Sequence, residues 1–387
     1  MPPEPLPGRS FTRDDFRPAA LLIALPLVLL APAIATGQIP FFMDTVTQFF
    51  PIKLYAARVL WSGDIPLWNP TFYAGTPLLA NPQWGVLYPG QWIFFLFPGA
   101  RTFTLVTALH VALGGLGAYA LAKSVTGNRA AALLAGLLYE VGGWVWGHWA
   151  FGAYLLAQAY VPWSWWAFEA YRQKRRARDL WVGSVVVGLS FLTGAPQIAA
   201  HGLTGLWLLG FVRGAADALG ERSFVALRRA LAALVVMTAL GLMLSAIQTI
   251  PTYYCLDASG RGGGLGLDEI RAGSLSLADL GKAMWGGTGN PEDAETSIYL
   301  GLTPLFLLLL ALRPSSFWRN SPYAILLLFS LLYCLRPLAS VWFDLFPPYR
   351  FFHDPRRMMA VGWLAAIMLA ASGFDSIFGN SRRDSAA

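Results

Sequence analysis

The sequence predicts an all-α integral membrane protein, and three features of its composition indicate this fold class. Of 387 residues, 56% are hydrophobic and only 13% are charged, whereas roughly 25% of the residues of a typical soluble domain are charged. The mean hydropathy is +0.51, and the apolar residues gather in long runs. No stretch with the composition of a soluble domain lies between these runs. We therefore expect a single polytopic membrane domain, residues 1–387.

Ten apolar runs are candidates for helices that cross about 30 Å of hydrocarbon at 1.5 Å per residue. They cover residues 18–36, 102–122, 130–147, 150–170, 180–195, 198–212, 230–250, 298–312, 322–335 and 358–373. Several contain only about 14 to 16 residues, so flanking aromatic side chains or local thinning of the bilayer must complete these spans. The sequence thus predicts about ten transmembrane helices.

The distribution of basic residues supports ten spans with both termini in the cytoplasm. With this orientation, 18 of the 28 lysines and arginines fall in cytoplasmic segments and none falls inside a span. An excess of basic residues in cytoplasmic loops is the general rule for membrane proteins. The net charge of +7 then follows from topology and from contact with anionic lipid headgroups, so nucleic-acid binding is not implied.

Two outer segments, 37–101 and 251–297, are the main extramembrane pieces. The first is rich in aromatic residues and proline, and such residues suit the headgroup level of a bilayer. Its apolar stretch 84–98 is short and is interrupted by proline and glycine, so we expect an interfacial or re-entrant helix there. The candidate functional residues of this loop are Asp44, Gln48, Trp68, Asn69 and Gln83.

Further polar candidates lie at the outer ends of later spans. They are His148, Gln197, Arg350, His353, Arg356 and Arg357. Together with Asp44 they form a set of anionic and cationic groups, as recognition of a phosphate-bearing headgroup and a hydroxyl acceptor requires. Guanidinium groups bind phosphate oxygens bidentately, so the three arginines are candidates for a phosphate clamp. Arginines near a span also serve as snorkelling anchors, and both interpretations remain open.

Glu140 is an ionisable residue inside the third predicted span, where a charge costs at least about 2.5 kcal/mol. Gly142 and Gly143 follow it and allow close approach of another helix. We expect a hydrogen bond between helices in preference to a role with substrate. Signatures of other site classes are missing, because the glycine run at 260–266 lacks a following Lys-Ser or Lys-Thr and no histidine and carboxylate spacing suggests zinc.

Several motifs follow one another in a distinctive order. They are Asp44-x-x-x-Gln48-Phe-Phe-Pro51, Gly63-Asp-Ile-Pro66-Leu-Trp68-Asn69-Pro70, Gly75-Thr-Pro77, Tyr88-Pro89, Phe191-Leu-Thr-Gly194-Ala-Pro196-Gln197, Tyr299-Leu-Gly301-Leu-Thr-Pro304 and the stretch from Arg350 to Arg357. In this order the chain resembles the YfhO-like bacterial membrane proteins, which belong with the GT-C glycosyltransferases. The chain is shorter than such proteins, which usually continue with more spans and an extracytoplasmic region.

The resemblance implies a multi-pass enzyme of the bacterial cytoplasmic (inner) membrane with a GT-C-like fold. Such an enzyme transfers a sugar from a polyprenyl-phosphate donor to an acceptor at the outer face. The carboxylate of the first loop, here Asp44, would lie near the reaction centre together with Gln48. Some members of the wider superfamily use a divalent cation, so Mg²⁺ or Mn²⁺ held by Asp44 is an alternative way to neutralise phosphate.

Two other function classes remain open. The chain could be a non-catalytic scaffold subunit that packs against partner subunits of a membrane complex through its glycine-bearing helices. It could also be a transporter of lipid-linked sugars, for which broken helices near Pro162, Pro196 and Pro337 would be the structural sign. A groove open to lipid and centred on Asp44 favours the transferase, whereas an ion pair between Asp44 and a structural arginine favours the scaffold.

Overall fold

The computed structural model describes residues 12–39, 44–149, 151–260, 262–284 and 291–379, which fold almost entirely into helices. The α-helices are α1 (Phe16–Thr36), α2 (Phe50–Trp61), α3 (Trp92–Leu96), α4 (Ala100–Thr126), α5 (Arg129–Val141), α6 (Gly143–Gly147), α7 (Gly152–Gln158), α8 (Val161–Lys174), α9 (Ala177–Leu192), α10 (Pro196–Glu221), α11 (Val225–Asp257), α12 (Leu267–Ala272), α13 (Leu277–Met284), α14 (Leu302–Ala311), α15 (Phe317–Cys334), α16 (Ala339–Leu345) and α17 (Met359–Phe378). A π-helix covers Thr45–Phe49, and short 3-10 helices cover Arg13–Asp15, Pro82–Trp84, Pro89–Gln91, Pro291–Thr296, Arg336–Leu338, Pro347–Phe351 and Pro355–Met358. Two short antiparallel strands, β1 (Trp68–Asn69) and β2 (Thr76–Pro77), pair with Trp68 opposite Pro77.

Five helical segments in the described parts of the chain are long and apolar enough to cross a membrane. They are Arg13–Thr36, Ala100–Thr126, Arg129–Gly147, Val225–Asp257 and Pro355–Phe378. The chain is therefore an all-α membrane protein. A helix lies in each of the ten apolar runs of the sequence, but several of these helices are shorter or less apolar than a full span, and the number ten stays a prediction.

Helix α17 forms the centre of the bundle. Every residue from Met359 to Gly373 is buried, and the helix packs against α14, α15 and α5. Small residues at this interface let helix backbones approach closely; a Cβ added at Gly373 would clash with the carbonyl oxygen of Leu307 on α14. Helix α1 differs, because it buries one narrow stripe, Leu22, Pro26 and Leu30, and its other apolar side chains are suited to face lipid.

Two of the apolar runs are interrupted at a shared point. Helix α5 ends at Val141, Gly142 is extended with φ −75° and ψ 159°, and α6 then begins at Gly143. The short helix α14 follows a non-helical segment, 297–301. The amide of Gly143 donates to the carbonyl oxygen of Tyr299 at 2.9 Å. Because non-helical backbone at membrane depth needs partners within the protein, this pairing stabilises both interruptions.

Buried ion pairs join the helix ends at the side of the bundle where both ends of the described chain lie, here called the terminal end. Asp15 is buried and accepts hydrogen bonds from Tyr119 and Lys123. Glu169 is also buried and accepts from Arg172 at 2.8 Å and from Arg213 at 2.7 Å. Each carboxylate therefore balances the buried charge of its basic partners and fixes the positions of the helices that carry them.

The opposite side of the bundle, here called the loop end, carries the segment 44–99. Its buried residues form an aromatic cluster with the beginning of α4, in which Phe94 and Phe103 lie edge to face at 6.1 Å. The interfacial helix expected over 84–98 is confined to α3, only five residues long. The shortening follows from Pro82 and Pro89, which each begin a separate 3-10 turn.

Candidate functional site

Five polar residues from four distant parts of the chain meet at the loop end, and we call them the loop-end cluster. They are His148, Gln197, Glu295, Asp354 and Arg357. His148 follows α6, Gln197 lies in the first turn of α10, and Asp354 and Arg357 belong to the turn that leads into α17. Three of them, His148, Gln197 and Arg357, were candidates from the sequence, and Glu295 and Asp354 were not.

Glu295 is the centre of the cluster. It is 5% exposed, and its Oε2 lies 2.5 Å from Nε2 of His148, while its Oε1 accepts from Nε of Arg357 at 2.8 Å. Burial alone would raise the pKa of this carboxyl, but the charges and hydrogen bonds of His148 and Arg357 outweigh burial and hold the pKa well below its usual range. Glu295 is therefore a carboxylate at neutral pH.

The imidazole of His148 is fully buried and is engaged on both sides. Its Nδ1 lies 2.9 Å from the carbonyl oxygen of Trp144, and its ring stacks on the Trp144 ring at 4.0 Å. Both partners of the ring, this carbonyl and the Glu295 carboxylate, are acceptors, so the ring satisfies them by donating from both nitrogens as an imidazolium. The cluster consequently sets two cations, His148 and Arg357, against the one carboxylate of Glu295.

The Arg357 guanidinium has partners at Nε, at Nη1 and on one face. Its Nη1 donates to Oε1 of Gln197 at 3.0 Å, and its guanidinium lies 4.7 Å above the centre of the Tyr154 ring. Gln197 is itself fixed, because its Nε2 donates to the carbonyl oxygen of Asp354 at 2.8 Å. Nη2 of Arg357 makes no hydrogen bond to the residues that the structure describes. This free edge can donate hydrogen bonds to an oxygen atom of a phosphate group.

The other two arginines of the expected clamp have different partners. Arg356 forms a two-pronged ion pair with Asp354, with Nη2 to Oδ2 at 2.7 Å and Nε to Oδ1 at 3.0 Å. Arg350 donates from Nε to the carbonyl oxygen of Phe343 and stacks on that ring at 4.3 Å. Arg356 thus adjoins the cluster through Asp354, and Arg357 is the arginine that lies within it.

Asp44 and Gln48 lie in the first outer segment, at the π-helix Thr45–Phe49. Asp44 directly precedes the π-helix Thr45–Phe49, and the side chains of both candidates are half-buried. Asp44 contributes to the electrostatic environment of the Tyr154 hydroxyl, as do Glu295 and Arg357. Asp44 forms no ion pair with any residue in the described ranges, so it is not neutralised by a structural arginine there. Single π-helical turns occur frequently at functional sites.

The remaining candidates of the first loop shape the loop itself. Asn69 is buried, and its Oδ1 accepts from the amide and hydroxyl of Thr71 at 2.9 and 2.8 Å. Trp68 covers Gly75, whose φ of +119° and short distance to the ring, 2.7 Å from an added Cβ, both require glycine. Gln83 lies in the 3-10 turn Pro82–Trp84.

His353 lies on the surface near α12, with its Nε2 3.8 Å from Oε1 of Glu269. The two side chains are 48% and 50% exposed. An exposed pair of this kind contributes about 0 to 1 kcal/mol at most. The structure thus places His353 outside the hydrogen-bonded cluster.

Glu140 corrects one expectation from the sequence. Its carboxyl is buried, but neither oxygen has a hydrogen-bond partner in the described part of the chain. Close approach does occur at Gly142, against Trp363, but the glycine that contacts Glu140 is Gly115 of α4, where an added Cβ would clash with Oε1 of Glu140. The glycine contact fills the space that a polar partner would need.

Two residues that sequence reasoning passed over are notable. Glu295 lies in an acidic stretch, 292–295, and nothing in its spacing separates it from its neighbours. Lys53 belongs to the outer segment 37–101 and was not a candidate, but it is only 4% exposed. A signal for Lys53 exists, because it lies among apolar residues of α2.

A resident metal is not supported by the arrangement of side chains. No group of three or more histidine, cysteine, aspartate or glutamate side chains that could hold an ion occurs among residues 12–39, 44–149, 151–260, 262–284 and 291–379. No protein-family model matches the chain, and no curated protein matches it either.

Proposed function

We propose that the protein is a membrane glycosyltransferase of the GT-C type that uses a polyprenyl-phosphate-linked sugar and acts at the extracytoplasmic face. The observation that supports this proposal best is the charge of the loop-end cluster. Two cations, His148 and Arg357, share one carboxylate, Glu295. Asp354, the other carboxylate of the cluster, is balanced by Arg356. The remaining excess of positive charge is suited to an anion, and the free edge of Arg357 is suited to phosphate oxygens.

The proposed topology has ten spans with both termini in the cytoplasm of a bacterium and the loop end outside. Its support is the segregation of charge between the two ends of the bundle. Basic residues that the sequence assigns to cytoplasmic segments, such as Lys123, Arg129 and Arg172, form their ion pairs at the terminal end. The loop end would then receive the lipid-linked donor from the outer leaflet.

The proposed mechanism divides the work between a base and a cation. Asp44 accepts the proton of the acceptor hydroxyl as that oxygen attacks the anomeric carbon of the sugar. The bond from this carbon to the phosphate oxygen breaks, and Arg357 stabilises the negative charge that develops on the departing lipid phosphate. Glu295, Gln197 and Tyr154 hold the guanidinium in place, and we derive no step through a metal.

Replacement of Asp44 by asparagine tests this mechanism, because it removes the charge and keeps the shape. In reconstituted membranes with a polyprenyl-phosphate-linked sugar as donor, we expect turnover to fall by at least about a hundredfold, the low end for loss of a general base. Asp64→Asn is the matched control, since Asp64 is an exposed acid of the same loop. Unchanged turnover in Asp44→Asn would remove Asp44 from the mechanism.

A second candidate is a non-catalytic scaffold subunit of a membrane complex. The observation that favours it is the completeness of the packing around His148, whose ring is buried and whose two nitrogens both have partners. In a scaffold, the cluster would only connect α6, α10 and α17. The scaffold predicts no binding of polyprenyl phosphate, whereas the transferase requires it.

A further inference from the structure

Lys53 is a buried cation without a carboxylate partner. Its side chain is 4% exposed, its Nζ donates to Oε1 of Gln91, and it lies 5.7 Å from the centre of the Phe103 ring. No salt bridge to Lys53 occurs within the described ranges. Because a buried ammonium needs compensation by hydrogen bonds and by opposite charge, Lys53 requires an explanation beyond packing.

Gln91 supplies a hydrogen bond to Lys53 but no charge. Its Nε2 donates to the carbonyl oxygen of Thr193 at 3.3 Å, which turns Oε1 toward the lysine. Gly85 packs against this amide so closely that an added Cβ would clash with it. The amide is therefore held in one orientation, and it satisfies one of the three N–H donors of the ammonium.

A small cavity adjoins Lys53. Its volume is about 10 Å³, which is close to the minimum for one water-sized occupant. The side chains of Lys53, Gln91 and Thr107 contribute its polar lining, and aromatic and aliphatic side chains form much of the rest. Thr107 already donates its hydroxyl proton to the carbonyl oxygen of Phe103, so Lys53 remains the cationic donor at this cavity.

The titratable groups around Lys53 provide no negative charge at neutral pH. The charge of Lys53 acts on His110 of α4, whose ring is hydrogen-bonded to the Tyr88 hydroxyl at 2.5 Å and to the carbonyl oxygen of Val106. The Tyr88 hydroxyl also contacts that of Tyr160 at 2.6 Å, and burial raises the pKa of Tyr88 far above its usual range. Burial lowers the pKa of Lys53 to about 7.

We propose that the cavity beside Lys53 binds one small monovalent anion of the size of chloride. The anion would supply the charge that the surrounding residues lack, and the cavity is too small for phosphate or another polyatomic oxyanion. Because the anion favours the ammonium over the neutral amine, anion binding and proton binding at Lys53 support each other. This inference goes beyond the proposed function and does not depend on it.

The halide dependence of thermal unfolding tests the proposal. The full chain in detergent at pH 7 is unfolded in sodium chloride and in sodium gluconate at equal ionic strength. At a chloride concentration about a hundred times the dissociation constant, we expect the Tm to rise by about 3 °C, from the linkage of binding to stability in a chain of this size. An equal Tm in the two salts would overturn the proposal.

Two variants locate the effect at the cavity. Lys53→Met should abolish the difference between the two salts, whereas Lys282→Met should retain it, because Lys282 on α13 is 60% exposed. Gln91→Glu puts a carboxylate at the atom that faces Lys53 and should also abolish the difference, since it replaces the anion. If Lys53→Met does not fold, Gln91→Glu decides the matter, and an undiminished chloride effect in Gln91→Glu would overturn the proposal.

Discussion

Replacement of Glu295 by glutamine should strongly destabilise the loop-end cluster. The change keeps the shape of the side chain and one acceptor oxygen but removes the charge that His148 and Arg357 share. Both partners then remain buried as uncompensated cations, because His148 is fully buried and the side chain of Arg357 is 17% exposed. Removal of one partner from a buried pair costs about 3 to 5 kcal/mol, so we expect a loss in that range.

The loss should depend on pH in a direction that the depressed pKa of Glu295 fixes. Since the folded-state pKa lies below the unfolded value of about 4.3, the stability from this carboxylate is fully present above that value. It is lost as the pH falls from there through the folded-state pKa. The difference between the wild-type protein and Glu295→Gln should therefore be constant near pH 7 and should shrink in acid.

Thermal or denaturant unfolding in detergent, followed by tryptophan fluorescence, measures this difference. Glu269→Gln is the control, because Glu269 is 50% exposed and its pairing with His353 is long, at 3.8 Å; we expect a change within about 0.5 kcal/mol. The double variant Glu295→Gln, Arg357→Met should recover part of the lost stability, since it removes one of the two cations that lack a carboxylate partner in Glu295→Gln. A loss below about 1 kcal/mol in Glu295→Gln would refute the assignment of a charged, coupled cluster.

Three further predictions concern the donor, the topology and Lys53. Arg357→Lys keeps a charge but loses the guanidinium fork, so polyprenyl-phosphate binding should weaken by at least tenfold, about 1.4 kcal/mol. Arg350→Lys is the control and should bind as the wild type does, because Arg350 is stacked on Phe343. Equal binding by the two variants would contradict a role of Arg357 in phosphate binding. In a Cys255→Ser background, a cysteine in place of Asp64 should react with an impermeant probe only from the extracytoplasmic side. A cysteine in place of Arg178, which is 76% exposed, should react only from the cytoplasmic side. The reverse pattern would contradict the topology. In chloride-free buffer, the free energy of unfolding should fall as the pH drops from 10.5 to about 7, because the unfolded chain then binds a proton at Lys53 that the folded protein does not. Lys53→Met should remove this pH dependence. A pH dependence that persists in Lys53→Met would contradict the burial of an unpaired amine.

The positions of the helices could be read from the sequence, but their interruptions could not. The run 130–147 is continuous in hydropathy, and Gly142-Gly143 was its only sign of a break. Whether the helix stops there depends on the carbonyl oxygen of Tyr299, which accepts from Gly143 and lies far away in the sequence. Local composition predicts which segments are apolar; the location of a break requires the partner that satisfies the freed backbone groups.

The candidate site was predicted in part for a similar reason. Charge and topology placed His148, Gln197 and Arg357 on one side of the membrane, and the structure joins them by hydrogen bonds. Glu295, which links two of them, was one acid among several in a loop. Its role depends on burial and on contacts between segments about 60 to 150 residues apart, and no local pattern encodes these.

The binding site of polyprenyl phosphate is the most direct test of the central claim, that the loop-end cluster receives a lipid phosphate. A structure of the full chain determined in lipid nanodiscs with added polyprenyl phosphate would locate the headgroup. We expect the phosphate within hydrogen-bonding distance of Nη2 of Arg357. A phosphate bound elsewhere, or no bound lipid at concentrations that saturate the membrane, would contradict the claim and favour the scaffold.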